Sequence, residues 1–302
     1  MDVPPLTGRR IVVTGASSGL GLAATRELAR RGAAVVLAVR DVDKGAAVRR
    51  DLLADLPGAD LDVQRLDLGD LDSVRAFAER VPADGRPVDA LLNNAGIGGG
   101  PRALSPQGHE LVFATNHLGH FALTGLLLPR LVTGTDPRVV TVSSGLYPLG
   151  RIDFADLTAA TRYSQTRAYV GSKLANALFG LELERRLLAA GSPVRSLLAH
   201  PGVARTAMPT SAPSAGARAV GRLLGSLLGR SAEAGAAALV HAVAADLPGA
   251  TMVGPGPRRG PFRPAVEPIR HPADDPDLAR RLWEVSAELT GVHPAALTGP
   301  SA

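Results

Sequence analysis

The segment TGASSGLG, residues 14–21, decides the fold of this 302-residue chain. It follows the strand-like run RRIVV and leads into a helix-like stretch over 20–31. Gly15 permits a sharp turn from strand to helix, and Gly19 and Gly21 let backbone approach a pyrophosphate. The helix that follows offers unpaired N–H groups to an anion. The segment therefore predicts a dinucleotide-binding turn with the spacing G-x-x-x-G-x-G.

Short β-branched runs alternate with helix-like runs along the chain. A strand and a helix repeated in this way indicate parallel strands joined by crossovers, with helices on both faces of one doubly wound sheet. The first strands are apolar throughout, as a sheet buried on both faces requires. We therefore predict an α/β fold of three layers, with strands at 9–15, 33–40, 62–68, 88–96, 137–144 and 193–202.

The composition excludes several classes of function. The net charge is +5, but arginine alternates with acids along helix-like segments and aromatic residues are only 3%, which argues against nucleic-acid binding. There is no cysteine, hence no disulfide and no thiolate site. Without a signal peptide or a long uninterrupted apolar run, we expect a soluble, cytoplasmic protein that does not associate with membranes.

The end of the second strand, LAVRD, favours NADP(H) over NAD(H). NAD sites place an acid here for the ribose hydroxyls, whereas Arg40 supplies a cation for an additional phosphate. Asp41 is interpreted as the N-cap of the next helix. Ser17 is expected to add a hydroxyl contact to the same phosphate.

Polar residues and glycine follow the third and fourth strands. Ligands bind at the carboxyl ends of strands in such sheets. Asp67 in LDL is therefore expected to meet an adenine edge, and Asn93, Ala95 and Gly96 in NNAG to pass close to the cofactor.

The segment YVGSK carries the chemistry. Tyr169 and Lys173 stand at i and i+4 on one helical face, in a chain with only two lysines. A nearby ammonium lowers the pKa of a phenol, which can then serve as general acid or base. Ser144, at the end of the fifth strand beside Ser143, is placed to donate a hydrogen bond to the reacting oxygen.

Other residues compete for functional roles. Tyr163 precedes Arg167 at the same spacing, but a guanidinium cannot replace the compact ammonium, so Tyr163 and Tyr147 are expected to line the substrate entrance or to cover the core. His117 and His120 lack a third metal ligand, so no metal site is predicted. His200 is expected to be structural, and Trp283 to anchor a C-terminal helix.

Six motifs in order resemble the classical short-chain dehydrogenase/reductase family: TGASSGLG, LDL, NNAG, NHLGHF, VSS with YVGSK, and HPGVART. The resemblance implies a Rossmann-type fold with a seven-stranded sheet, and hydride transfer between a nicotinamide and a carbonyl or alcohol. It also implies a catalytic tetrad. Asn116 would hold a proton-relay water, Ser144 the substrate oxygen and Tyr169 the transferred proton, while Lys173 would lower the tyrosine pKa and bind the nicotinamide ribose.

The resemblance extends the cofactor site to the turn after the sixth strand, where Thr206 would contact the nicotinamide amide and Pro201 and Gly202 would shape the turn. The predicted cofactor-binding residues are Gly15, Ser17, Ser18, Gly19, Leu20, Gly21, Arg40, Asp67, Leu68, Asn93, Ala95, Gly96, Tyr169, Lys173, Pro201, Gly202, Val203 and Thr206.

The chain looks most like the retinol-dehydrogenase-like and carbonyl-reductase-like members of that family, which mostly use NADP(H). We expect one domain over 1–302, with a core at 8–204, a substrate loop at 205–232 and a C-terminal part at 233–302; the Pro/Gly/Arg-rich 254–276 is expected to be loop. Relatives suggest a homodimer or homotetramer paired through the helices bearing Asn116 and Tyr169. A cofactor-binding regulator without turnover and an epimerase or dehydratase remain alternatives.

Overall fold

Eight strands form one sheet in the order β3-β2-β1-β4-β5-β6-β7-β8. The computed structural model describes residues 4–81, 85–98, 100–202, 232–256 and 263–294. All strand pairs are parallel except β7 with β8. The strands are β1 Arg10–Thr14, β2 Ala34–Val39, β3 Leu61–Arg65, β4 Ala90–Asn93, β5 Arg138–Val142, β6 Arg195–Ala199, β7 Met252–Gly254 and β8 Ala265–Glu267.

Helices cover both faces of the sheet, so the predicted three-layer α/β fold is confirmed. The central strands are buried along their whole length because apolar clusters lie on both sides of them. The described helices are α1 Gly19–Arg30, α2 Val42–Asp55, α3 Leu71–Arg80, α4 Leu111–Phe113, α5 Gly119–Leu131, α6 Gln165–Ala189, α7 Ala232–Ala244 and α8 Pro276–Thr290, with a π-helix at Ala114–Leu118 and a 3₁₀-helix at Tyr147–Leu149.

The strand order reverses at β1, whose neighbours are β2 on one side and β4 on the other. Crossovers therefore run in opposite directions from this point, and a crevice opens at the carboxyl ends of β1 and β4. The segments TGASSGLG and NNAG follow these two strands, so the topology brings them together.

The sheet has one strand more than the seven that the family resemblance implies. β8 pairs antiparallel with β7 and lies inside the stretch 254–276 that was expected to be loop. The sequence did not predict this strand because three residues between proline-rich flanks are too few to show a strand periodicity. Of the predicted substrate loop at 205–232, residues 205–231 lie outside the described residues, and Ala232 begins helix α7.

One helical stretch in the described part, Leu111–Leu131, is long and apolar enough to cross a membrane, and 78% of its most apolar window is buried inside the protein. It includes α4, the π-helix and α5, and it packs against the sheet and α3. A helix in the core of a large domain has to be apolar on nearly all sides, and the composition of this stretch agrees with such a position.

The C-terminal helix α8 covers part of α5 and α6. The Trp283 ring lies 4.9 Å from that of Phe121 and 5.9 Å from that of Phe179, and the Arg186 guanidinium lies 4.6 Å from the Trp283 ring. Trp283 is therefore the core anchor that the sequence predicted.

Replacing Trp283 by alanine is expected to lower the free energy of unfolding by about 3–5 kcal/mol, because it leaves a large cavity between three helices. Urea denaturation measures this change. Glu284→Ala, an exposed position on the same helix, serves as the control and should change the free energy by no more than about 0.5 kcal/mol. Equal effects of the two substitutions would contradict the anchoring role.

Candidate functional site

The glycines of TGASSGLG allow backbone to pack at distances that no side chain would permit. Gly15 has a φ of +68°, and a Cβ on it would lie 3.0 Å from the Cα of Ala95. A Cβ on Gly21 would lie 2.3 Å from the carbonyl oxygen of Gly15. The first turn of α1 therefore packs directly against the end of β1.

A buried hydroxyl joins this turn to the end of β4. The Thr14 Oγ1 accepts hydrogen bonds of 2.9 Å from both the Asn94 and the Ala95 backbone N–H. The Asn94 side-chain amide donates to the Thr14 carbonyl oxygen at 2.8 Å. Thr14 and Asn94 were not among the predicted site residues. The sequence feature that could have indicated them is a threonine and a second asparagine at the ends of two adjacent strands.

His120 extends the same network to the π-helix. Its Nδ1 lies 2.9 Å from the Asn116 carbonyl oxygen and its Nε2 lies 3.0 Å from the Thr14 hydroxyl. A carbonyl only accepts, so Nδ1 carries the hydrogen and Nε2 accepts from Thr14. Burial is the main cause that lowers the His120 pKa to about 4, so the imidazole stays neutral.

The N-terminus of α1 is open toward the crevice. Its N-cap, Ser18, makes no side-chain capping hydrogen bond, and the first turn holds no acidic residue. The exposed Arg40 follows β2 at the same edge of the sheet. Asp41 caps α2 by accepting from the Lys44 N–H at 2.9 Å, as expected, and therefore leaves Arg40 as the charged side chain at this strand end.

The predicted site residues at the ends of β3 and β4 have different surroundings. The Asp67 carboxylate is partly exposed at the edge and accepts from the Gly69 N–H at 3.0 Å, beside the buried Leu68. The Asn93 side chain is fully buried and donates to the Thr124 hydroxyl at 2.9 Å. It points into the protein, so only its backbone borders the crevice.

Asn116 lies in the π-helix, where the widened turn redirects its side chain. Its amide oxygen accepts from the Ile97 N–H at 2.8 Å, and its amide nitrogen donates to the Ile97 carbonyl at 3.0 Å and to the Ser172 hydroxyl at 2.9 Å. Single π-turns of this kind occur frequently at functional sites. Asn116 therefore clamps the loop after NNAG to helix α6.

Tyr169, Lys173 and Ser144 meet beside this clamp. The Lys173 ammonium lies 5.8 Å from the centre of the Tyr169 ring and donates to the Val142 carbonyl at 3.2 Å. The Ser144 side chain is close enough to Tyr169 to lower the pKa of its phenol. Ser143 is turned away and donates to the Lys173 carbonyl at 2.7 Å.

The protonation of this group differs from the expectation that Lys173 lowers the pKa of Tyr169. Burial raises the pKa of Tyr169, and the Ser144 side chain opposes that rise without cancelling it. Burial also lowers the pKa of Lys173 to about 8. The physical reason is that Lys173 is buried and Tyr169 is half-buried, so the charged form of each is destabilised.

Gly96 allows backbone to pass over the catalytic candidates. A Cβ on Gly96 would lie 3.2 Å from the Asn116 Oδ1 and 3.5 Å from the Lys173 Nζ. The NNAG turn therefore approaches both side chains, and any larger residue at this position would crowd them.

The competing residues have other partners. Tyr163 donates to the Gly100 carbonyl at 2.9 Å, and the buried Tyr147 accepts from the Arg270 N–H at 2.7 Å. His200 accepts from the Gly202 N–H at 3.2 Å and donates to Glu267 at 3.0 Å, which ties β8 to the turn after β6. Its role here is structural, as expected.

His117 and His120 form no metal site with their neighbours, and the described ranges contain no group of three or more candidate ligands. The turn at Pro201 and Gly202 borders the crevice, and Gly202 has a φ of +68°. The predicted contacts of Val203 and Thr206 lie outside the described residues.

The crevice fits a dinucleotide. A Cβ at position 19 would meet no atom within 4 Å, so this side of the turn is open, and the N-terminus of α1 offers uncapped N–H groups to an anion. Ser17, Gly19 and Leu20 surround this N-terminus and are at least partly exposed. The residues present are therefore those that a pyrophosphate-bearing cofactor requires.

Comparisons with known proteins agree with this arrangement. The chain is 39% identical to human retinol dehydrogenase 12 over 95% of this chain and 88% of that protein. It is 42% identical to mouse polyprenol dehydrogenase over 96% of this chain and 86% of that protein. A solved structure of an uncharacterized protein from Mycobacterium paratuberculosis is 43% identical, covers 97% of each chain and superposes with a TM-score of 0.79.

The family model for the short chain dehydrogenases matches residues 9–215, which contain every element of the crevice described above. With relatives near 40% identity over almost the whole chain, this match shows that the protein belongs to the short-chain dehydrogenase family.

Proposed function

We propose that this protein is an NADP(H)-dependent oxidoreductase that interconverts a carbonyl compound and its alcohol. The observation that carries the proposal is the convergence of Tyr169, Ser144, Lys173 and Asn116 below Gly96, at the edge of a crevice shaped for a dinucleotide. A nicotinamide bound there supplies or accepts the hydride.

The protein supplies the proton and the electrostatic support. Tyr169 donates its hydroxyl proton to the substrate oxygen during reduction, and Ser144 donates a hydrogen bond to the same oxygen. The Lys173 ammonium stabilises the tyrosinate that remains. Asn116 holds the loop carrying Ile97 against helix α6, so the backbone of this loop keeps its place beside the catalytic side chains.

Lys173 also binds the nicotinamide ribose, and Asp67 the adenine edge, in this proposal. Arg40 selects the cofactor. Its exposed guanidinium makes no ion pair or hydrogen bond with the residues that the structure describes, and it stands where an additional ribose phosphate would lie.

The substrate is apolar in this proposal. Leu146 and Leu149 follow Ser144 closely in sequence and are 50% and 75% exposed, so they offer apolar surface after this strand end. Retinol and polyprenol dehydrogenases are among the relatives, and their names denote apolar alcohols. An apolar chain lying over these leucines would place its terminal oxygen toward Ser144.

The test of the proposed function is a panel of aldehydes, ketones and alcohols of increasing apolar length, with oxidation of NADPH or reduction of NADP⁺ as the readout. We expect kcat/KM to rise with chain length. Cofactor binding without turnover on any member of the panel would contradict the proposal and favour a cofactor-binding regulator.

Replacing Tyr169 by phenylalanine is expected to reduce turnover by at least about 100-fold, since the proton donor is lost, while NADPH binding persists. Turnover is measured by NADPH oxidation and binding by fluorescence titration. Tyr163→Phe is the matched control and should retain activity, because its hydroxyl only contacts the Gly100 carbonyl. Loss of turnover in the control alone would assign the proton to Tyr163.

Replacing Arg40 by alanine is expected to weaken NADPH binding by about 10- to 100-fold, as removal of hydrogen bonds between charged groups does, and to leave NADH binding unchanged. Titration of each cofactor into the apo protein measures both affinities. Arg50→Ala, an exposed arginine farther along α2, removes the same charge and should affect neither affinity. Parallel losses for both cofactors in Arg40→Ala would contradict the selective role.

All three tyrosines of the chain have a raised pKa, and burial is the largest cause for each. Titration of the apo protein, followed by tyrosinate absorbance, is therefore expected to show no ionisation below about pH 10. Tyr169→Phe should give the same curve at neutral pH. A tyrosinate that forms near neutral pH in the original protein and disappears in that variant would contradict this prediction.

A further inference from the structure

The additional strand β8 presents one acidic side chain to the end of β6. In its register with β7, Glu267 lies opposite Met252 and Val266 opposite Val253. Successive side chains of a strand point to opposite faces, so Glu267 is on one face and Val266, which is 63% exposed, is on the other. The Glu267 Oε2 lies 3.0 Å from the Nε2 of the buried His200. An edge strand of three residues thereby contacts the turn that follows β6.

Gly254 on β7 leaves the space that this pair occupies. A Cβ on Gly254 would lie 2.8 Å from the His200 Nε2 and would overlap the Glu267 carboxylate. The backbone of His200 is fixed separately, because its N–H donates to the Val253 carbonyl at 2.9 Å. The imidazole and the carboxylate therefore lie directly over β7, and any side chain at position 254 would displace them.

The hydrogen bonds of His200 assign its tautomer. The Gly202 N–H donates to the His200 Nδ1 at 3.2 Å, so Nδ1 is an acceptor. A carboxylate only accepts, so the hydrogen on Nε2 is donated to Glu267. Both partners select the same neutral tautomer. Without the carboxylate, the Gly202 N–H alone would orient the ring.

The imidazole lies between two turns that carry predicted site residues. A Cβ on Gly145, the residue after Ser144, would lie 3.7 Å from the His200 Nδ1, which is van der Waals contact. On the other side is Gly202, which donates to the same nitrogen and has a φ of +68° that favours glycine. A rotation of the His200 ring would therefore move the Gly202 turn relative to Ser144.

We propose that Glu267 and His200 are positioning residues for the nicotinamide end of the cofactor site. The carboxylate orients the imidazole, and the imidazole holds the Gly202 N–H. The turn of Pro201 and Gly202 thereby keeps its place beside Ser144, and strand β8 supports the cofactor site without contacting the cofactor. This inference rests on the proposed function for the identity and the orientation of the cofactor; the hydrogen bonds themselves do not depend on turnover.

Two ligands separate the two ends of the cofactor site. NADPH occupies both ends, whereas 2′-phospho-ADP-ribose is the same molecule without the nicotinamide. A change confined to the turn after β6 should therefore weaken the binding of NADPH alone. A general loss of order in the crevice should weaken the binding of both ligands. Titration of each ligand into the apo protein measures the two affinities.

Replacing Glu267 by leucine is expected to weaken NADPH binding by about 3- to 10-fold, the range that the loss of one hydrogen bond produces. The affinity for 2′-phospho-ADP-ribose should stay within about 2-fold. Val266→Thr, an exposed position on the same strand, is the matched control and should change neither affinity. Equal losses for the two ligands in Glu267→Leu, or an unchanged affinity for NADPH, would overturn the proposal.

A double-mutant cycle tests whether Glu267 acts through His200. His200→Gln retains a polar group near Nε2 and loses the acceptor for the Gly202 N–H, so it should also weaken NADPH alone. In the double variant with Glu267→Leu the loss should be no larger than in His200→Gln, because the carboxylate then has no imidazole to orient. Additive losses would overturn the proposal.

Hydrogen exchange of the Gly202 amide in the apo protein decides the question if His200→Gln fails to fold. The Glu267 side chain is partly exposed, so its substitution leaves the core intact. We expect exchange to become about 3- to 10-fold faster in Glu267→Leu and to stay unchanged in Val266→Thr. Unchanged exchange in Glu267→Leu would overturn the proposal.

The failure of this inference differs from the failure of the proposed function. A protein that binds NADPH and shows these effects, but converts no member of the carbonyl panel, would refute the proposed function and leave the positioning role of His200 and Glu267 intact. Absence of NADPH binding in the original protein would overturn both.

Discussion

The hydroxyl of Thr14 is the contact on which the crevice depends. It is fully buried at the point where the strand order reverses, and it accepts two backbone N–H groups from the end of β4. The connections that leave the two strands run in opposite directions at such a point, so a bridge between the strand ends keeps the two turns together around one ligand. Without this oxygen, two buried N–H groups would have no partner, at a cost of about 1–3 kcal/mol each.

The same oxygen links cofactor binding to catalysis. Through His120 it reaches the carbonyl of Asn116, whose side chain in turn holds Ile97 and Ser172. The glycine-rich turn, the NNAG turn and the helix that bears the catalytic tyrosine are therefore parts of one hydrogen-bonded network. A network with every member satisfied orders a site more firmly than its separate bonds would.

Burial leads to different protonation states on the two sides of this network. On the crevice side burial raises the pKa of Tyr169 and lowers the pKa of Lys173 to about 8. Both pKa values stay above neutral pH, so the phenol and the ammonium both keep their protons there. On the other side burial keeps both imidazoles, those of His117 and His120, neutral, and His120 therefore serves as a fixed hydrogen-bond connector between Thr14 and Asn116. The C-terminal helix closes that second side through Trp283 and Ser286, so it contributes to the order of the site without touching the crevice.

Sequence alone determined the features that depend on neighbouring residues. Strand and helix follow one another by local periodicity, the glycine spacing describes a single turn, and Tyr169 and Lys173 share a face because they are one helical turn apart. The identity of these residues also distinguished the arginine after β2 from the aspartate that caps the next helix.

Only the tertiary structure decided what depends on distant residues. Asn93 turns inward because Thr124, 31 residues away, accepts its hydrogen bond, and Asn94 and Thr14 join strand ends that are 80 residues apart. The raised pKa of Tyr169 results from burial by elements that no local pattern describes. His117 acquires its partner Ser286 from α8, 169 residues further along the chain, and packing alone brings the two together.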